Sequence, residues 1–140
     1  MNAKELMIGD LVVYTGDVEY NDPIIIEGMD IATDSCITSD RDDVGFEGVQ
    51  PIPLTSEILE NNGFPFNEVE TNSSIQSVYK HYTKFYDFPL GKGFYIEYDT
   101  VDNIFYITDH CWIRFKYVHE FQHVLKLCGI NKDIKLKFNN

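Results

Sequence analysis

Between residues 79 and 117 the chain carries thirteen Phe, Tyr and Trp rings, with His81 interspersed, on short runs broken by Gly91-Lys92-Gly93 and by Thr100 to Asn103. Rings at this density, punctuated by turn residues, predict an antiparallel meander whose aromatics pair across strands and fill a core. Strands are expected near 79–86, 93–99 and 103–108, with a fourth near 111–115. An aromatic sheet can also stack nucleic-acid bases. Cations and acids balance five to five over this stretch, however, so it offers no electrostatic footprint for a phosphate backbone. Gly91-Lys92 is not a phosphate loop, because no upstream glycine framework precedes it and no Ser or Thr follows the lysine.

The first fifty residues carry a second β pattern. A helical turn is expected over residues 2–9, ending at Gly9-Asp10. Leu11-Val12-Val13-Tyr14 reads as a short strand and Ile24-Ile25-Ile26 as a buried one, with Asn21-Asp22-Pro23 as the break between them. Another short strand is expected from Asp30 to Thr38. Strands this short and closely spaced suggest a small curled sheet or an open barrel.

Two helices complete the pattern. Thr55 is placed to cap the first, with Glu57 in its positive first turn, Leu54 positioned to staple Leu59, and Gly63 and Phe64 as its close. The second spans about Phe115 to Cys128, with Gly129 as its stop. Residues 65–74 read as a polar loop, and Ile134 to Phe138 as a last strand or tail. The chain is thus expected to be one α+β domain over residues 1–140, with both helices packed on the aromatic sheet. A division into a small barrel-like part (1–50) and a helix-sheet-helix part (51–140) is the alternative.

The charge is lopsided. Eleven Lys and Arg against 23 Asp and Glu give a net charge of −12. Residues 1–70 hold two cations and 16 acids, whereas residues 71–140 hold nine cations and seven acids. A surface this negative repels nucleic acid and favours a protein partner with a basic face. The acidic stretch 17–47 is the expected partner surface, with Asp40, Asp42, Asp43 and Glu47 as its binding residues. No run of 18 apolar residues is present, so no membrane span is expected. Met1 to Glu5 lacks the basic start and apolar core of a leader, and the three cysteines include no C-x-x-C pair. Both features point to the cytoplasm.

Two stretches invite a chemical reading. Residues 40–51 fail as a calcium loop: Val44 stands at the fifth position, and Pro51 stands where a bidentate Glu is needed. His119-Glu120-Phe121-Gln122-His123 matches H-E-x-x-H, in which two imidazoles one turn apart hold zinc and the Glu activates its water. Here the extended pattern's third His is replaced by Gly129, and only Asp133 among the acids follows His123. On a helical wheel, Tyr117, Val118, Phe121, Val124, Leu125, Leu127 and Cys128 form one apolar arc. Lys116, His119, Gln122, His123 and Lys126 form the opposite one, with Glu120 at its edge. Both imidazoles are therefore expected to face water, with no cofactor or metal. A zinc-dependent hydrolase using His119, Glu120 and His123 is the alternative. No nucleophile elbow is present, and His110-Cys111, as neighbours on a strand, would point to opposite faces.

Three strings carry a resemblance. Leu6-Met-Ile-Gly9-Asp10-Leu11-Val12, Pro51-Ile-Pro53-Leu54-Thr55-Ser-Glu57-Ile-Leu59 with Gly63-Phe64, and Lys116-Tyr117-Val118-His119-Glu120-Phe121-Gln122 resemble landmarks of a family of small uncharacterised proteins. Members are carried by phages and mobile elements of gut bacteria. The resemblance brings no established activity with it. Family members keep the Tyr-Val-His start of the last helix but commonly lack a His at the place of His123, which counts against a metal pair. This chain departs from them at Leu127-Cys128-Gly129, where a longer aromatic-aliphatic run is usual. A non-enzymatic acidic interaction module is therefore the expected function, with a nucleic-acid-mimicking inhibitor of a host protein as a further alternative.

Overall fold

The computed structural model describes residues 5–16, 22–30, 32–40, 43–64, 67–69, 85–91, 94–99, 103–107 and 110–136; for 67–69, 85–91, 94–95 and 110–112 it describes the backbone alone. The chain is α+β, with two antiparallel five-stranded sheets. It divides into two compact units. The first joins Met1–Leu54 to Tyr117–Asn140, and the second is Thr55–Lys116.

In the first unit, β1 (Leu11–Tyr14), β2 (Ile24–Asp30), β3 (Ser35–Thr38), β4 (Val44–Gly45) and β5 (Val49–Pro51) form a sheet of order β4-β3-β2-β1-β5. It ends in two edges, so it is an open sheet rather than a closed barrel. Alternation along β2 buries Ile24 and Ile26 and turns Ile25 and Glu27 outward, as the period of two requires. The strand expected from Asp30 starts later, at Ser35, because Asp34 takes a left-handed conformation (φ 49°) in the preceding turn. Asp tolerates that region better than most residues. The acidic loop contributes β4, which pairs Ser35 with Gly45 and Cys36 with Val44.

One core cluster comprises Leu6, Val12, Ile24, Ile26, Cys36, Phe46 and Val49. Val13, the next residue along β1, points to the opposite face and is equally buried. The last helix, α2 (Val118–Leu127), packs against β1 and buries Val118, Phe121, Val124 and Leu125. It therefore belongs with the first sheet, not with the aromatic one. It starts three residues later than its apolar periodicity suggests. Tyr117 is extended and forms a bridge to Pro53, and the Val118 amide donates to the Ile52 carbonyl (2.8 Å). Gly129 (φ 71°) closes α2 as expected: its amide donates to the Lys126 carbonyl and that of Ile130 to Leu125. Residues 131–136 form no strand.

In the second unit, α1 (Ser56–Asn61) is capped by Thr55, whose Oγ1 accepts from the Ile58 amide at 3.1 Å. Gly63 (φ 83°) ends it, and the Phe64 amide donates back to the Leu59 carbonyl. The sheet runs β10-β9-β8-β7-β6 through β6 (Asn67–Val69), β7 (Phe85–Gly91), β8 (Phe94–Asp99), β9 (Ile104–Ile107) and β10 (His110–Phe115). It is the expected meander, widened by β6 from a stretch that reads as a loop. Phe105 lies at its centre, stacked on Tyr98 at 4.4 Å and on Phe115 at 5.7 Å between ring centroids. Ile96, Ile107 and Phe115 are buried with it. Residues 79–84, at the start of the first expected aromatic strand, lie outside the described residues.

Candidate functional site

The H-E-x-x-H segment forms a helix, but the wheel's two faces are not both where periodicity puts them. His119 is 3% exposed and belongs to the interior, whereas Leu127, on the expected apolar arc, is 83% exposed. His123 is 24% exposed at its side chain, and its Nε2 donates to the carboxylate of Asp10, 2.8 Å from Oδ1 and 3.0 Å from Oδ2. The outward-facing pair of imidazoles is thus corrected. One ring is buried and the other clasps a carboxylate that is itself fully buried. The reason is non-local, because the polar arc of α2 lies over the Gly9-Asp10 turn, 113 residues away in sequence.

That turn is built to receive it. Gly9 has φ 98°, a conformation glycine adopts without strain, and its amide donates to the Ile26 carbonyl at 2.7 Å. Asp10 Oδ2 also accepts from the Met7 amide (2.7 Å), so the turn closes around its own carboxylate. Gln122 then bridges both sides. Its Oε1 accepts from the Leu11 amide (2.9 Å) and its Nε2 donates to the Gly9 carbonyl (3.0 Å). Glu120, the would-be general base, instead accepts from the Tyr117 amide through Oε1 (3.1 Å) and caps its own helix.

His119 stacks on Tyr117 at 5.9 Å and meets His123 edge-on at 5.7 Å between ring centroids. Its Nδ1 is buried without a hydrogen-bond partner among the described residues. Burial pushes the imidazole below the ordinary histidine pKa. The charges of Asp10, Glu120 and Glu5 oppose that shift, and His123 adds to it. Among the described residues, no group of three His, Cys, Asp or Glu side chains converges to hold a metal ion. With Nε2 of His123 given to Asp10 and Glu120 given to a backbone amide, the geometry is that of a clasp.

The acidic residues lie in the first unit. Asp40 is exposed, and its Oδ1 accepts from Thr38 Oγ1 (3.1 Å) and from the Tyr14 hydroxyl. Asp43 and Glu47 are exposed, with Asp43 in a left-handed turn (φ 60°). Asp42 lies outside the described residues. Ile25 and Ile37 are exposed on neighbouring strands of the same sheet. Asp30 and Asp43 line an open depression together with Met29, Cys36 and Ile37. Burial raises the Cys36 thiol above its ordinary pKa, which makes it a poor nucleophile.

No family model, curated protein or solved structure matches the chain. Among the described residues, no helix is long and apolar enough to cross a membrane.

Asp10 and Gln122 are the site residues that motif reading misses. An H-E-x-x-H pattern directs attention to the i, i+4 pair and to a third ligand downstream. The partner lies upstream, in a turn whose sequence signal is only Gly9-Asp10.

Proposed function

We propose that the chain is a non-enzymatic interaction module that binds a protein with a basic surface, in the bacterial cytoplasm and in the service of a phage or mobile element. The observation that carries this reading is the charge distribution: between Lys4 and Lys80 the sequence has one cation, Arg41. The exposed acids Asp40, Asp43 and Glu47, with Asp42 between them in sequence, are the proposed contacts. Exposed Ile25 and Ile37 supply apolar area on the same sheet. That mixture suits a partner face of lysines and arginines, whose stems bury against apolar surface while their heads meet carboxylates. Long-range attraction of this kind speeds encounter and weakens as salt is added.

The hydrolase reading has less support, because His123 and Glu120 are already engaged by Asp10 and by the Tyr117 amide. The test is affinity capture from a bacterial lysate at 50, 150 and 400 mM salt, with the captured proteins identified by mass spectrometry. A basic partner lost steeply with salt, and lost also to the combined Asp40→Asn, Asp43→Asn and Glu47→Gln variant, is the expected result. A partner held equally at all three salt concentrations, or one untouched by the triple variant, refutes the acidic-face reading.

A further inference from the structure

We propose that His119, His123 and Asp10 form an acid-operated latch that releases α2 from the first sheet. The latch is independent of which partner the acidic face takes.

One turn of α2 holds the 7–11 segment: Gln122 bridges Gly9 and Leu11, and His123 clasps Asp10. A second imidazole, His119, lies one turn earlier, nine-tenths buried and edge-on to the first. The Asp10 carboxylate already accepts from the Met7 amide and from His123. The charged groups that face His119 are Asp10 and Glu5 from the N-terminal segment, and Glu120 and His123 from its own helix. Lys126 lies one turn further along α2, its Nζ close to the Gly9 turn. Tyr14, at the end of β1, donates its hydroxyl to Asp40 and lies 2.9 Å from Thr38 Oγ1.

A neutral His119 suits this setting. A proton on it would create a desolvated cation beside His123, with the Asp10 carboxylate already bonded to Met7 and His123. An imidazole that binds its proton more weakly in the closed form than in the open chain shifts the balance toward opening as pH falls. Stability is intact above the free imidazole value of about 6.5 and declines below it. The change is local because the first sheet keeps a core without the helix: none of the residues clustered with Val12 comes from α2. What α2 uncovers on leaving is the Gly9–Leu11 segment that Gln122 and His123 hold.

Amide hydrogen exchange on the full chain at pH 7.5 and 5.5, corrected for intrinsic rates, tests the latch. The opening equilibrium of α2 amides should rise up to about tenfold between the two pH values, while amides of Val12, Ile24 and Ile26 change little. His119→Phe keeps a stackable ring without a proton site, and should abolish the rise. Equal change in helix and sheet, or a rise that persists in His119→Phe, overturns the proposal. Should that variant fail to fold, NMR titration of the His119 ring in the unaltered chain decides. Titration below the free imidazole value supports the latch, and titration at or above it refutes it.

Discussion

Replacing Asp10 by alanine removes a fully buried carboxylate and strands two donors, the Met7 amide at 2.7 Å and His123 Nε2 at 2.8 Å. Hydrogen bonds to a charged group are each worth about 1.5–3 kcal/mol. Removing one member of a buried pair costs about 3–5 kcal/mol. His123 is partly exposed, so water can recover its donor, and the low end applies: about 3 kcal/mol for Asp10→Ala. His123→Gln leaves the carboxylate bonded to Met7 and within reach of a shorter donor, and should cost about 1–2 kcal/mol. Because both changes remove the same contact, the double variant should fall short of their sum by about 1–1.5 kcal/mol. Urea denaturation at pH 7 measures all four corners of the cycle, with far-ultraviolet circular dichroism as the probe. Strictly additive losses, or an Asp10→Ala cost below about 0.5 kcal/mol, would show that the clasp contributes nothing to holding the unit together.

Further outcomes follow from the same geometry. Gln122→Ala orphans the Leu11 amide and should cost about 1–2 kcal/mol by denaturation. Gln122→Glu should cost more, because it loses the donor to Gly9 and brings a second carboxylate near Asp10. Phe121→Ala empties a fully buried site on α2 and should cost about 3–5 kcal/mol, read as a lower urea midpoint with an unchanged slope. Thr55→Ala removes the cap of α1 and should cost about 1 kcal/mol. Between the two thiols described, partly exposed Cys128 should react with iodoacetamide well before buried Cys36 at neutral pH, as peptide mapping would show. Faster labelling of Cys36 would contradict the packing of the first core.

What could be read from residues alone was mostly local. Thr55, Gly63 and Gly129 marked helix ends because caps and left-handed closures act within a few residues. Turn residues and aromatic runs announced the meander for the same reason. Strand β6 is not legible in the sequence because Asn67-Glu68-Val69 carries no strand signal of its own and forms by pairing with β7. Placement of the last helix is not legible either, since an amphipathic helix specifies that it needs a cover and not which sheet supplies it. His119 shows the cost of reading polarity as exposure. An imidazole is apolar enough to be buried when neutral, and a wheel that scores it as polar turns it the wrong way. Nothing near His123 in the sequence points to Asp10, because their pairing is made only once the chain has returned.

That return has a consequence during synthesis. The ribosome delivers the strands of the first unit early and their helical cover last, after the whole of Thr55–Lys116 has emerged. For a period on the order of seconds, the side of β1 that packs on α2 and the Asp10 carboxylate await a helix not yet made. A nascent chain in that state offers a greasy strand face to chaperones, and a premature stop anywhere before Gln122 leaves it that way for good.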